Sequence, residues 1–370
     1  MARLEDICSI NMGQSPESSS YNESGEGMPF FQGNADFGEL HPKVRIWCNA
    51  PTKIAECGDI LISVRAPIGA LNIANEQCCI GRGLAALTAN EALCDLKYLW
   101  YGLECKVDEL NSKGTGSTFK AINKKNLAET EIYLPSLEEQ RRIAALLDKV
   151  SGLIAKRRAQ LDKLDLLIKA RFVEIFGDPS VNTKWSTMKL SQLGELNRGV
   201  SKHRPRNDPR LLGGAYPLIQ TGDVSNSGLY ILNYSSTYSE LGLEQSRLWK
   251  SGTLCITIAA NIAHTSILTF DACFPDSVVG FVPNDNTNSV FVHYWFSFFQ
   301  KILEEQAPQV AQKNINLKIL SDLDVIVPPY TLQEDFSAFV GQVEKSKLTI
   351  QQSLDKLETL KKALMQQYFG

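Results

Sequence analysis

The sequence consists of two similar halves, and this repeat constrains the fold more than any other feature of the 370 residues. The tetrapeptide Leu-Asp-Lys-Leu at residues 161–164 recurs at residues 354–357. The same offset aligns further residues in matching order, namely Pro135 with Pro328, Gln140 with Gln333, and Phe176-Gly177 with Phe369-Gly370. Because similarity at a fixed offset is the signature of a duplicated structural unit, the chain is predicted to be a tandem duplication.

Each half begins with short β-rich runs and ends in a long helical pattern. Residues 60–64 and 254–258 align between the halves, and their continuous apolar character is typical of buried strands. Residues 138–176 contain no proline, so they can form one continuous helix. Each half is therefore predicted to contain a mixed α/β part followed by a long helix.

Apolar residues recur along both helical stretches at alternating steps of four and three, which is the pattern of a coiled coil. The residues predicted to pack helix against helix are Ile143, Leu147, Val150, Ile154, Leu161 and Leu164 in the first stretch and Phe336, Val340, Val343, Ile350, Leu354 and Leu357 in the second. Neither helix has another predicted body to pack on, so we expect the two helices to pack on each other. The first helix ends where the second α/β part begins, and the second helix starts where that part ends, so the helices should be antiparallel.

The predicted fold class is mixed α/β, with two pseudo-symmetric α/β domains separated by two long antiparallel helices that form a coiled coil. We call the α/β parts head one (residues 1–136) and head two (residues 178–329). The predicted helices occupy residues 137–177 and 330–370. The second helix is expected to return its C-terminus to head one.

Charge and composition argue against several classes of protein. The formal net charge of −3 is low for a free-standing DNA-binding protein. Since no apolar run reaches the ~18 residues of a membrane helix and the start lacks a signal-peptide pattern, we expect a cytoplasmic protein with reduced thiols and no membrane contact. The four histidines have neither metal-ligand spacing nor an evident nucleophile partner, so no metal site and no catalytic residue are predicted.

Two similar heads on a rigid spacer are the geometry of a protein that recognises two sites at a fixed separation, as dimeric DNA-binding proteins do. In head two, a loop rich in cations offers groups that bind phosphates or the guanine edge. Its predicted DNA-binding residues are Lys202, His203, Arg204 and Arg206. An ordinary solvated basic loop is the alternative interpretation.

Further candidates lie at aligned positions of the two heads. The loop of head one that supplies hydroxyls and cations contributes Lys113, Ser117, Thr118 and Lys120, with a flexible surface turn as the alternative interpretation. Its counterpart in head two contributes Gln312, Lys313 and Asn314. Gln32 and Asn34, with Gln220 in head two, are suited to recognising bases or to capping a strand. Arg65 follows a predicted buried strand, where it is suited to facing DNA or to pairing with an internal carboxylate.

The pattern resembles the specificity (S) subunit of prokaryotic type I restriction–modification systems over essentially the whole chain. The residues that carry the resemblance are 28–33 (Met-Pro-Phe-Phe-Gln-Gly), 58–63 (Gly-Asp-Ile-Leu-Ile-Ser), 134–135 (Leu-Pro), 137–143 (Leu-Glu-Glu-Gln-Arg-Arg-Ile), 216–224 (Tyr-Pro-Leu-Ile-Gln-Thr-Gly-Asp-Val) and the Phe-Gly that ends each helix. The resemblance implies two target-recognition domains that bind a two-part DNA sequence, joined by spacer helices.

The resemblance also implies partners. Two methyltransferase (M) subunits would carry S-adenosylmethionine and methylate adenine at N6, and restriction (R) subunits using ATP and Mg would join for cleavage. The chain itself would hold no cofactor and catalyse no reaction.

Two alternatives remain open from the residues alone. A stand-alone DNA methyltransferase would need a glycine-rich cofactor loop, which the sequence lacks. A coiled-coil scaffold with two protein-binding heads would need no DNA contact at all.

Overall fold

The computed structural model describes residues 1–116, 120–181, 184–259, 262–306 and 315–370. These residues form two compact units. Unit 1 contains residues 1–159 and 351–370, and unit 2 contains residues 160–350. Each unit thus takes one head and a part of each long helix.

Unit 1 contains three sheets. Its strands are β1 (Ala2–Arg3), β2 (Cys8–Met12), β3 (Tyr21–Asn22), β4 (Met28–Phe31), β5 (Ile46–Cys48), β6 (Ile54–Ala55), β7 (Ile60–Ser63), β8 (Leu71–Ile73), β9 (Cys78–Ile80), β10 (Leu84–Ala89) and β11 (Glu131–Ile132). The sheet orders are β2-β10-β7-β8, β3-β5-β4-β9-β6 and β1-β11. The helices are α1 (Leu4–Ile7), α2 (Leu96–Cys105), α3 (Val107–Ser112), α4 (Lys124–Ala128) and the long α5 (Leu137–Phe176), which continues into unit 2.

Unit 2 contains three corresponding sheets. Its strands are β12 (Thr187–Lys189), β13 (Gly194–Arg198), β14 (Leu212–Leu218), β15 (Tyr230–Ile231), β16 (Ser236–Tyr238), β17 (Leu248–Trp249), β18 (Leu254–Thr257), β19 (Thr265–Leu268), β20 (Ala272–Cys273), β21 (Val278–Pro283) and β22 (Asp324–Ile326). The sheet orders are β13-β21-β18-β19-β15, β16-β14-β20-β17 and β12-β22. The helices are α6 (Thr221–Asn226), α7 (Glu240–Glu244), α8 (Ser289–Gln306), α9 (Leu317–Ser321) and the long α10 (Tyr330–Phe369), which continues into unit 1.

The repeat in the sequence is a repeat of sheet topology. In head one β10 pairs antiparallel with both β2 and β7, and in head two β21 pairs antiparallel with both β13 and β18. Each head also has one matching parallel pair, β4 with β9 and β14 with β20. The aligned strands β7 and β18 are buried throughout, as the continuous apolar runs predict.

The long helices α5 and α10 are antiparallel within each unit. In unit 2, Lys347 lies 2.8 Å from Asp165, and the Phe336 ring lies 5.4 Å from the Phe172 ring, so residue numbers rise along α5 as they fall along α10. In unit 1, Arg158 donates to Glu358 over 2.6 Å. At 40 residues, each helix is about 60 Å long.

The apolar stripe of each helix is mostly buried. Eight of the twelve predicted packing residues are buried, namely Ile143, Leu147, Val150, Ile154, Phe336, Val340, Val343 and Leu354. The other four, Leu161, Leu164, Ile350 and Leu357, are half-buried.

The helices do have another body to pack on, which corrects the expectation that they pack only on each other. Ile143 and Leu147 share a core with Leu99 and Ile132 of head one. Phe336 and Val340 are likewise part of the core of head two. The sequence pattern could not show this, because one apolar stripe can face a helix and a sheet at the same time.

The last residue of each helix inserts into a head. In unit 1, the Phe369 ring of α10 lies 4.9 Å from the Tyr98 ring of head one. In unit 2, the Phe176 ring of α5 lies 5.0 Å from the Phe291 ring of head two. The expected return of the second helix to head one is therefore observed, and the two contacts involve aligned residues of the repeat.

Candidate nucleic-acid interface

In head one, a buried carboxylate organises the turn that follows β4. Asp36 is 8% exposed, and its Oδ2 accepts the main-chain N–H of Gln32 over 2.7 Å. Its Oδ1 accepts the Nε–H of Arg45 over 3.2 Å. Asp36 thus fixes the main chain at Gln32, while the side chain of Gln32 is exposed.

Three of the predicted residues, Gln32, Asn34 and Arg65, line one cavity of about 310 Å³ in head one. Arg45, Arg82 and Asp36 line the same cavity, so its lining carries three arginines, of which Arg45 is paired with Asp36, and two amide side chains. Such groups bind phosphates and the edges of bases. The structure therefore gathers residues from four separate stretches of the sequence into one polar, cationic site.

Arg65 also adjoins the hydroxyl-rich loop. The main-chain N–H of Ala66 donates to the carbonyl of Lys120 over 3.1 Å. Lys120 is exposed, whereas the ammonium of Lys113 lies 2.6 Å from a carboxylate oxygen of Glu109. Within the part of the chain that the structure describes, Arg65 forms no ion pair, so the internal pairing considered as its alternative is not observed there. The predicted Ser117 and Thr118 lie outside the described residues.

The predicted basic loop of head two is a network of hydrogen bonds and ion pairs. His203 Nε2 lies 3.0 Å from Asp208 Oδ2, and a nitrogen of Arg210 lies 2.7 Å from the same oxygen. The hydrogen bonds from Arg210, more than any other contact, hold the pKa of Asp208 below its usual range.

A second carboxylate of head two, Asp276, faces the other two arginines of the loop. Arg206 forms an ion pair with it, and Arg204 lies 3.9 Å away. Lys202 is exposed and, among the described residues, forms no ion pair. The loop is therefore less positive than its sequence indicates, since Asp208 and Asp276 offset part of its charge.

Gln220 occupies the position in head two that Gln32 has in head one. Its main-chain N–H donates to Asp223 Oδ2 over 2.8 Å at the start of α6, and its exposed side-chain amide donates to Ser236 over 3.4 Å. In both heads the main chain of the glutamine is held by an aspartate, while the side chain stays accessible. The predicted Gln312, Lys313 and Asn314 lie outside the described residues.

The sequence prediction missed Arg45, Arg82 and Asp276. Arg82 stands between Gly81 and Gly83 in the turn that precedes β10, and an exposed cation between two glycines is a signal that could have been used. Asp276 could not have been assigned, because its partners lie about seventy residues earlier in the chain.

No group of three potential metal ligands is found among the residues that the structure describes. The nine cysteines are all free thiols, and burial raises the pKa of Cys8, Cys78 and Cys94 to about 12. In the same described part of the chain, none of the helices combines the length and the hydropathy that a bilayer crossing demands.

The sequence matches the type I restriction modification DNA specificity domain twice, over residues 1–164 and 182–361. The chain belongs to this family. The two matches coincide with the two halves of the repeat, so each half of this specificity protein corresponds to one family domain.

Named relatives agree with this membership. The MjaX specificity subunit of Methanocaldococcus jannaschii is 46% identical over 156 residues, which are 42% of this chain and 37% of that subunit. The MjaIX specificity subunit of the same organism is 21% identical over 83% of this chain and 76% of its own length. The EcoBI specificity subunit of Escherichia coli is 21% identical over 84% of this chain and 73% of its own length.

Solved structures share the fold. The S subunit of the type I restriction–modification system of M. genitalium matches with a TM-score of 0.60 and 16% identity, over 100% of this chain and 95% of that one. A chain from a study of complex assembly and conformational transition of the type I R-M system matches with a TM-score of 0.59 and 17% identity, over 99% of this chain and 96% of that one.

Proposed function

We propose that this specificity protein is the DNA-recognition subunit of a type I restriction–modification complex. The observation that carries the proposal is the position shared by Gln32 and Gln220. In each head an aspartate accepts the main-chain N–H of the glutamine and the side chain stays exposed. A side chain that recognises a base must extend from a fixed main chain and remain accessible, and both glutamines meet these two conditions.

The target is double-stranded DNA with two separate specific parts. Glutamine and asparagine pair with adenine, and arginine pairs with guanine or with phosphates. The cavity of head one offers Arg65 and Arg82, whereas head two offers a loop of paired arginines. Because the two sets differ, each head recognises a different half of the target.

The partners follow from the family. Two methyltransferase subunits bind this chain and methylate adenine at N6, which requires them to rotate the base out of the duplex while the specificity protein holds the DNA. Restriction subunits join the same assembly for cleavage. S-adenosylmethionine, ATP and Mg belong to those partner subunits. This chain positions the partner subunits on the DNA and catalyses no reaction itself.

The test is a map of N6-methyladenine across the genome of the host, made with and without this chain. A two-part methylated motif should disappear when the chain is deleted and return when it is supplied from a plasmid. If deletion removes no two-part motif, the proposal is wrong. The scaffold alternative predicts that outcome, and it also predicts no retarded DNA when the purified chain is mixed with its methyltransferase partner.

A further inference from the structure

One turn is equivalent in the two heads but carries opposite charge. The strands β10 and β21 begin at Leu84 and Val278, whose carbonyls accept hydrogen bonds of 2.9 and 2.8 Å from the glycines that follow β2 and β13. These matching bonds fix the alignment of the two turns. The residue two positions before each strand is Arg82 in head one and Asp276 in head two.

The neighbouring loop reverses its charge together with the turn. After β2, residues 14–27 of head one, a loop interrupted by the short strand β3, contain three glutamates and no lysine or arginine. After β13, residues 200–211 of head two contain Lys202, Arg204, Arg206 and Arg210. A cationic turn therefore accompanies an acidic loop in head one, and an acidic turn accompanies a cationic loop in head two.

Arg82 and Asp276 also differ in whether their charged groups are paired. Arg82 is exposed, lines the cavity that holds Gln32 and Arg65, and forms no ion pair among the described residues. Asp276 binds Arg206, lies 3.9 Å from Arg204, and its carbonyl accepts the Nε–H of Arg198 over 3.1 Å. Arg82 thus has its guanidinium available, whereas Asp276 has its carboxylate engaged by the loop.

We propose that this turn governs DNA contact in both heads by opposite routes. In head one, Arg82 contacts DNA directly, through a phosphate or the edge of a guanine. In head two, Asp276 is a positioning residue that holds Arg206 in the orientation in which Arg206 contacts DNA, while Arg204 donates to the carbonyls of Ser201 and His203. The inference rests on the proposed function, because it assigns residues to the DNA interface of each head.

The test for head one uses the full chain assembled with its methyltransferase partner. Arg82→Gln should weaken binding to DNA that contains the two-part motif by about tenfold or more, since it removes a charged contact to DNA. Arg3→Gln is the matched control, because Arg3 is an exposed arginine of the same head that does not line the cavity. The control should bind like the unaltered chain.

Two further measurements distinguish the two sources of the contact. If Arg82 binds a phosphate, Arg82→Lys should keep most of the affinity, and Arg82→Gln should lower the salt slope of binding by about one. If Arg82 binds a guanine, Arg82→Lys should also weaken binding, and the methylated motif should relax at one position of one half.

The test for head two asks whether Asp276 acts through the loop. Asp276→Asn should relax the half of the motif that head two recognises. Asp276→Glu, which keeps a carboxylate, should leave that half unchanged. Arg206→Gln should relax the same half as Asp276→Asn. The double variant should lose less than the sum of the two single losses, because Asp276 acts through Arg206. Unchanged thermal unfolding would separate these effects from a loss of folding.

The outcomes are separable from those of the proposed function. If the unaltered chain specifies no two-part motif, the proposed function is wrong. If it does specify one, but the Arg82→Gln and Asp276→Asn variants give the same motif with the same affinity, only the present inference is overturned.

Discussion

The side-chain amide of Gln140 donates to the main-chain carbonyl of Pro135 over 2.9 Å, just before α5 begins. The same amide donates to Leu93, and its oxygen accepts the N–H of Asp95. In the second half, Gln333 donates to Pro328 and Asn286 over 3.0 Å each. Both glutamines are fully buried, so each joins a head to the start of the helix that follows it.

Replacing Gln140 with alanine should therefore destabilise the protein. The change leaves a part-buried N–H and two part-buried carbonyls without their partner, at a cost of about 1–3 kcal/mol in the free energy of unfolding. Gln333→Ala should have a similar effect. Denaturant unfolding measures both, and the control that should change little is Gln351→Ala, because Gln351 is exposed and its side chain donates to Asp355 of the same helix.

Truncating the last aromatic residue of either helix should have a comparable effect. Phe176→Ala and Phe369→Ala each remove a buried ring from the core of a head, which costs about 3–5 kcal/mol. Thermal unfolding of each variant, compared with Val173→Ala at an exposed site of α5, measures the loss. Equal stability of Phe176→Ala and Val173→Ala would contradict the packing described for this ring.

Stability should fall below neutral pH in part through His293. Burial lowers the pKa of His293 to about 4 from its ordinary value of 6.5, and its Nδ1 lies 2.9 Å from the hydroxyl of Thr265. Between about pH 6.5 and 4, His293 is therefore protonated in the unfolded chain but neutral in the folded chain. The free energy of unfolding falls across this range as the pH is lowered.

The measurement is the free energy of unfolding as a function of pH for the unaltered chain and for His293→Gln. The variant should lack about 2–3 kcal/mol of the fall between about pH 6.5 and 4. Identical slopes for the two proteins across that range would show that His293 is not buried as a neutral ring.

Exchanging one head should change one half of the recognised DNA. If residues 178–329 are replaced by the corresponding head of another specificity protein, half of the methylated motif should change and the other half should stay, because each head carries its own set of contacts. Sequencing of N6-methyladenine in a host that expresses the hybrid measures this. A change in both halves would mean that the heads do not recognise DNA separately.

The isolated chain should hold DNA weakly. Its formal net charge is −3, and the ion pairs of Asp208 and Asp276 reduce the charge of the basic loop, so few phosphates can be neutralised. Binding should be lost as salt rises from about 50 to 200 mM, and the methyltransferase partner should restore it. Tight binding by the chain alone in high salt would contradict this expectation.

The sequence was sufficient to predict the duplication, because aligned residues such as Gln140 and Gln333 perform the same task in both halves. It was also sufficient for the antiparallel helices, since chain connectivity leaves no other economical arrangement. It was insufficient for the packing of Ile143 and Leu147, because a periodic pattern shows which face is apolar and not what covers that face.

The candidate site was only partly predictable for a similar reason. Gln32 and Arg65 are recognisable by residue type and by position after a strand. The pairing of Arg206 with Asp276 joins residues seventy positions apart, and single residues carry no signal of such a contact. The cavity of head one likewise depends on the fold, which brings Arg82 beside side chains from earlier strands.

The placement of Phe176 and Phe369 has a consequence for how such a chain can arise. Each head has its core completed by the helix end of the other half of the repeat. A polypeptide of half this length, with one head and one helix, would leave both the head and the helix end incomplete. Two copies would complete each other by exchanging their helices, so a swapped homodimer is the natural ancestor, and duplication and fusion of its single gene then leave each head free to diverge.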